Sequence, residues 1–424
     1  MKILDLFSKF QKDIFVGRFL AFRELKRNNP WSTALIIFVM SLTFLNMVLM
    51  GGILTGLADG MMNSFKTYYS SDILIKPATQ HISISQSGML NSVIKSLPSY
   101  KASSSRYTTP AILENENKVK IRNTEIGQRV SSTSVGINPK DEDAVTGISS
   151  EIILGEYLKE YDTDGIILGK SLLAEYSQGS STEPRLKGVT IGSRLKLIIG
   201  NKDIDVFVRG IVDTGNSTVD SRAFMLESTM RPLVNNYSLS ASEIAVLLNS
   251  GSNREEAKGY ILNNFSYNTD VIVETAEETL PKAISDMKKT FSMLGNIVGV
   301  ISLIVGAITI FIVIFVNAIT RRKYIGIMKG IGISARAIEV SYVMQSLFYA
   351  LSGILFSSLI IVWFLAPWFD IHPLKFPVTE GKLAVTTSGL VIRGLILTLT
   401  AFISGYVPAR MVTKQNTLDA ILGR

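Results

Sequence analysis

Four stretches of this 424-residue chain are so long and so apolar that they dominate any fold it can adopt. They run roughly over Thr33–Leu57, Ile297–Ile319, Val340–Phe364 and Ser388–Val407. About 20 apolar residues cross the hydrocarbon core of a bilayer as a helix, which satisfies every backbone N–H and C=O within the segment. The first three carry no charged side chain and the fourth carries only Arg393. A soluble protein with four buried helices of this purity would be unusual. The reading is therefore an α-helical membrane protein with four transmembrane helices. The low share of charged residues, 18% against about 25% in soluble domains, agrees.

Lys and Arg near the span ends give the orientation, because short basic segments stay in the cytoplasm. Residues 1–33 hold seven basic and three acidic groups, 320–339 five and one, and 408–424 three and one. The long segment 59–290 instead holds 25 basic and 28 acidic groups. Both termini and the 320–339 loop are expected in the cytoplasm, and 59–290 with the short 367–387 loop outside. The net charge of +8 is then a topology signal that calls for no nucleic-acid partner. The expected boundaries are a cytoplasmic helix at 1–30, spans at 31–57, 291–319, 340–366 and 388–407, an outer domain at 58–290, the loops at 320–339 and 367–387, and a cytoplasmic tail at 408–424.

The N-terminus does not read as a cleavable signal peptide, since a basic 30-residue segment precedes an apolar run longer than an h-region. Phe7, Phe10, Ile14, Phe15, Phe22 and Leu25 fall near helical spacing with basic residues between them. This predicts a helix along the inner leaflet, with Phe15, Phe22 and Trp31 at the membrane interface. Arg393 has two readings: a snorkelling side chain at the outer interface, or one turned toward a central cavity.

Residues 58–290 suffice for one sizeable domain or two small ones. Strand-like runs, among them "SDILIKP", "KVKIRN", "STSVGIN", "RLKLIIG", "IDVFVRGIVD", "EIAVLLN" and "DVIVET", alternate with helical stretches at "GMLNSVIKSL", Asn253–Phe265 and "AEETLPKAISDMKKTF". This predicts a large α+β extracytoplasmic domain between the first and second spans. Ser99–Thr109 and Gln178–Lys187 read as mobile loops. Thr275 and Glu278 are spaced as a capping box, on a helix expected to run into the second span.

Candidates for chemistry are few. "GIILGKS" at Gly165–Ser171 ends like a phosphate-binding loop, but three residues separate its glycines where that loop needs four. His81 and His372 each stand apart from any second ligand, and cysteine is absent, so neither a metal site nor a disulfide framework is expected. The sequons at Asn216, Asn236 and Asn264 occur often by chance.

The segment "TRRKYIGIMKGIGISARAIE" at 320–339 is different. Tyr324, Ile327, Met328 and Ile331 fall at i, i+3, i+4 and i+7 on one helical face. Such a face can enter a partner's groove, or lie on headgroups while its Lys and Arg side chains contact anionic lipid. Gly326, Gly330 and Gly332 permit close approach or a terminal turn.

The same segment resembles the "RRxEIGxxRAxGAxxxxI" signature of the FtsX-like permease family of ABC transporters, of the MacB and LolC/LolE type. "FLAFRELKRNNPWSTAL" is similar to that family's N-terminal pattern and "YVPARMVTKQNTLDAILGR" to its C-terminal one. Tyr324 stands where the family often has Glu, Ser334 where it has Ala, and Asn416 near its usual Pro. The resemblance implies a non-enzymatic permease subunit in the cytoplasmic membrane, paired with a second copy or paralogue. It implies that this chain binds no cofactor, and that ATP and Mg belong to a separate cytoplasmic ABC ATPase. It also makes 320–339 the coupling helix, with Arg321, Tyr324, Ile325, Gly326, Ile327, Met328, Gly330, Ile331 and Gly332 at the docking site. The cargo expected is lipid-linked, peptide or hydrophobic, with an extracytoplasmic adaptor as a further partner. The alternative is a mechanotransmitting regulator of an outer partner such as a cell-wall hydrolase.

Overall fold

The computed structural model describes residues 2–78, 82–115, 128–176, 184–234, 240–372, 374–376 and 379–414. His81, Asn236, the "KVKIRN" run and residues 415–424 lie outside these. In chain order the elements are α1 (Lys2–Arg27), α2 (Pro30–Phe65) with a π turn over Lys66–Ser70, β1 (Ile73–Pro77), α3 (Ser87–Lys95), β2 (Tyr100–Asn115), β3 (Gln128–Ile137), α4 (Pro139–Thr146), β4 (Ile152–Gly155) and β5 (Gly165–Gly169). There follow β6 (Arg194–Ile199), β7 (Lys202–Val212), α5 (Ser217–Asp220), β8 (Arg222–Leu226), α6 (Glu227–Leu233), β9 (Glu243–Leu248), α7 (Arg254–Asn264), β10 (Val271–Thr275) and α8 (Ala276–Thr279). The last are α9 (Lys282–Thr320), α10 (Arg322–Gly330), α11 (Ala335–Ile360) with a π turn to Leu365, α12 (Ala366–Ile371), a backbone pair β11 (Leu374–Phe376) and β12 (Thr379–Gly381), and α13 (Thr387–Thr413).

Two compact units result. The first comprises 1–57, 287–374 and 382–424, and the second 58–286 with 375–381. Four helices among the described residues are long and apolar enough to cross a membrane: Pro30–Ser70, Lys282–Thr320, Ala335–Ile371 and Thr387–Thr413.

In the first unit the helices bury a common stripe that includes Met40, Phe44, Ile310, Ile314, Tyr349, Leu397 and Ala401, while their other faces leave large apolar side chains exposed. Such outward-facing leucine and isoleucine suit a lipid surround, in which van der Waals packing and small polar contacts join helices. The hydroxyls of Ser41 and Ser357 lie 2.7 Å apart, tying α2 to α11. Gly353 allows that approach, for a Cβ there would sit 2.8 Å from Cβ of Met40 and 2.9 Å from the backbone nitrogen of Ser41. Asn46 Nδ2 donates to Ser302 Oγ at 3.2 Å, linking α2 to α9. Helix α1 runs along α11, with Ala21 buried and Phe15, Phe19 and Phe22 outward.

In the second unit the strands form one connected sheet. Part of it closes: β2 pairs β3, β3 pairs β8, β8 pairs β5, β5 pairs β7, β7 pairs β6, and β6 returns to β2. Closure removes free edges and encloses an apolar core that includes Leu113, Leu168, Leu195, Val206 and Met225. β2 takes part twice: its first residues pair β9, extending the sheet through β1 to β10, and its later ones complete the ring. Ser99–Thr109, expected as a mobile loop, is therefore largely strand. Leu186, in the other expected loop, is buried and bridges Leu173, while 177–183 lie outside the described residues. The capping box at Thr275 and Glu278 is present, but Leu280–Pro281 separates α8 from α9, so the helix does not run through.

Candidate functional site

Helix α10 is only nine residues long because both ends are fixed. Its C-terminus closes as a Schellman turn: Gly332 N–H donates to Lys329 O at 3.1 Å and Ile333 N–H to Met328 O at 3.0 Å. Gly332 has φ +96°, which strains any residue with a Cβ. Met328 and Ile333 both pack against the bundle core, the apolar clasp usual in this turn. Ser334 then caps α11 by accepting from the Ala337 N–H at 3.1 Å.

The expected docking residues divide. Tyr324, Ile327 and Ile331 are exposed, by 68%, 44% and 74%, and Gly330 and Gly332 are exposed beside them. Ile325 is 1% exposed inside the bundle core, Gly326 is buried, and Met328 turns half inward. Arg321 is engaged elsewhere: its Nη2 donates to Asn28 Oδ1 at 2.7 Å, and its guanidinium lies 3.7 Å from Glu24. Ile325 and Gly326 thus face the bundle, and the half-buried Arg321 ties the start of α10 to Glu24 and Asn28. Tethering continues through Lys329 Nζ to Thr413 O at 3.0 Å, Thr413 Oγ1 to Glu339 at 2.8 Å, and Ser334 Oγ to Asp13. Burial pushes the Glu24 carboxyl up, partly offset by the Gln345 amide and Arg321. The helix is a short brace on α1, α11 and α13 with an apolar outer edge.

Trp31, Phe15 and Phe22 are exposed. Arg393 turns onto α2, where Nη1 donates to Val48 O at 3.3 Å. It is partly buried against that helix.

The sequence reading missed a buried charge network in the second unit. Arg106 on β2 is 1% exposed. It forms a two-pronged pair with Glu142 of α4, Nε to Oε2 at 2.9 Å and Nη2 to Oε1 at 2.7 Å. Its Nη1 donates to the Tyr69 carbonyl at 2.7 Å and lies 3.4 Å from Glu243 of β9. Arg222 of β8 donates to the same Glu243 oxygen at 2.8 Å, with its guanidinium 4.7 Å from the Tyr69 ring centre. Burial opposes ionisation of Glu243, but Arg222 and Arg106 outweigh it and hold its pKa below the usual value. The π turn that ends α2 is thereby fastened to four elements of the domain. "GIILGKS" forms β5 and a 3-10 turn, and Lys170 is held by Asp213, with Asp220 at 3.9 Å. No loop remains there to cradle a phosphate. Among the described residues no cluster could hold a metal.

A family model for the FtsX-like permease C-terminal domain matches residues 296–417, which span α9 to α13. This region is an FtsX-like permease domain. The macrolide export ATP-binding/permease protein MacB of Burkholderia cenocepacia (strain HI2424) is 26% identical over 157 residues, 37% of this chain and 21% of that protein. MacB 1 of Yersinia pestis bv. Antiqua (strain Antiqua) is 26% identical over 164 residues, 37% and 22% respectively. The chain thus spans about a fifth of the length of the curated relatives it matches. The crystal structure of the periplasmic region of MacB from Actinobacillus actinomycetemcomitans aligns to 50% of this chain and 92% of its own, at 14% identity and a TM-score of 0.35. The chain thus joins a segment similar to FtsX-like permeases and to MacB with an α/β unit, and four of its described helices are long and apolar enough to cross a membrane.

Proposed function

We propose that this permease is the membrane-spanning subunit of an ABC transport assembly in the cytoplasmic membrane, driven by a separate ATPase that docks on α10. The observation that carries the reading is the outer edge of Tyr324, Ile327 and Ile331 on a helix whose inner side is locked to the bundle. An apolar edge on a rigid brace can pass a partner's displacement to α1, α11 and α13, whereas a loosely attached one would absorb it. The basic groups Arg321, Arg322, Lys323, Lys329 and Arg336 put this edge in the cytoplasm with both termini. The α/β domain then lies outside, between the first and second spans. ATP and Mg bind in the ATPase, and a second permease copy or paralogue completes the assembly. The cargo is lipid-linked, peptide or hydrophobic, a class that includes the macrolides for which the relatives are named.

The test is Ile327→Asp with Ile331→Asp in the full chain. Losing two apolar contacts of about 1–3 kcal/mol each should abolish co-purification of the ATPase and the permease's effect on its turnover, leaving the melting temperature unchanged. ATPase that still co-purifies and responds would reject α10 as the docking element.

A further inference from the structure

The chain leaves the π turn after α2 through a strained residue. Ser71 has φ +54° and ψ −144°, a conformation that side-chain-bearing residues rarely adopt. It is 3% exposed, and its hydroxyl is buried without a hydrogen-bond partner among the described residues. Buried hydroxyls are ordinarily paired, so an orphan one points to a missing partner. Ser71 lines a cavity of about 290 Å³ within the α/β unit.

The lining has a definite chemistry. Lys66, Lys101 and Arg254 contribute three cations, against Asp72 as the one carboxylate. Asp72 is already committed: Oδ1 faces Arg254 Nε at 2.8 Å and Lys66 Nζ at 3.4 Å, and Oδ2 accepts the Leu248 N–H at 3.0 Å. Lys101 is exposed and makes no ion pair among the described residues. Thr67, Ser250 and Ser252 add hydroxyls to the lining, whereas the Asn249 N–H, its side-chain amide and the Ser252 N–H already donate to Ser99 O, Tyr100 O and Asn249 O.

We propose that this cavity binds a small oxyanion of the phosphate class, with the Ser71 hydroxyl as a buried donor and Lys101 and Lys66 neutralising the charge. Excess cation, one unpartnered buried hydroxyl and further hydroxyls in the lining suit phosphate oxygens, which accept on every side. The position gives the ligand a structural consequence. Lys66 begins the π turn leaving α2, and Arg254 also binds Glu277 of α8 at 2.7 Å, where the chain departs toward α9. An occupant would brace the two points at which the chain enters and leaves this unit. The inference does not rest on the ATPase reading.

The test uses the full chain in detergent, titrated with inorganic phosphate and followed by calorimetry and ³¹P line broadening. Saturable binding is expected. Ser71→Gly removes the hydroxyl and relaxes the strained backbone, so affinity should fall about tenfold while the melting temperature holds or rises. Lys101→Glu, an exposed change, should abolish binding in the folded protein. A second arm compares nanodiscs of phosphatidic acid with nanodiscs of phosphatidylcholine. A melting-temperature rise only in phosphatidic acid, absent in Lys101→Glu, assigns the oxyanion to a lipid headgroup; saturable binding of free phosphate assigns it to a soluble one. Absence of both responses up to roughly 10 mM phosphate, or binding equal in wild type, Ser71→Gly and Lys101→Glu, overturns the proposal.

Discussion

Replacing Glu142 by glutamine should be among the most damaging conservative substitutions in the α/β unit. The network balances two arginines, Arg106 and Arg222, against two glutamates, Glu142 and Glu243, and each of the four side chains is 10% exposed or less. The amide cannot accept at both prongs of Arg106, and Ser104 Oγ loses its carboxylate acceptor at 2.7 Å. Two guanidiniums are then left to share Glu243. Breaking one partner of a buried pair costs about 3–5 kcal/mol, because the survivor stays buried without compensation. Tryptophan fluorescence would not see this, since Trp31, Trp363 and Trp368 all lie in the other unit. Amide hydrogen exchange of β2 and β9 in the full chain would. If those amides exchange through unfolding of the unit, their rates should rise about 150- to 4,000-fold. Removing both charges together, Arg106→Met with Glu142→Leu, leaves Arg222 and Glu243 paired and should restore most of the protection. The reasoning fails if Glu142→Gln changes exchange less than about fivefold, or if the double variant is no better than the single one.

Three further outcomes follow from the geometry. Ile325→Asp puts a charge into the bundle core and should destabilise or abolish the folded chain, where Ile327→Asp should leave its melting temperature unchanged; equal effects would contradict the assigned orientation of α10. Gly353→Ala forces a Cβ against the backbone of α2 and should cost about 1–3 kcal/mol, measured as steric-trap or denaturant stability in bicelles. Burial, only partly offset by Thr214 and Lys170, raises the Asp220 carboxyl from 3.8 to about 6. The folded state therefore holds this proton more tightly, and its stabilising effect is full below 3.8 and lost as pH rises through 6. That is about 3 kcal/mol across the interval. A melting profile of Asp220→Asn should lack this slope, and parallel wild-type and variant profiles would refute it.

The four long apolar helices were legible because lipid imposes a simple rule of length and purity, and Thr33–Leu57 and Val340–Phe364 fall inside two of them. Most strands of the α/β unit were legible where one face is apolar, as in β6, or where the run is apolar almost throughout, as in β9. β2 was not. "KASSSRYTT" reads as a polar loop because its inward side chains include Ser104 and Arg106, which are buried by partners from α4 and β9. Helical periodicity found the outer edge of α10 but put Met328 on it. The Schellman turn at Gly332 ends the helix after Gly330 and draws Met328 and Ile333 together against the core. Sequence alone could have suggested the glycine stop, but not which side of a nine-residue helix the bundle would claim.

The misreading of β2 has a cause that bears on how the domain is held. Periodicity assumes that buried means apolar, and it fails where charge is buried to make a joint. Arg106 is such a case: a guanidinium is the one side chain that can reach a carboxylate with two donors and still spend a third on a backbone carbonyl. That carbonyl belongs to Tyr69, in the π turn at the end of α2. Apolar packing would hold the turn nearly as firmly, but it is non-directional and lets a helix end rotate or slide with little change in energy. A hydrogen-bonded ion network has one geometry, so any rotation of the turn must break it. The buried polar residues that defeated the pattern reading are the ones that fix this geometry.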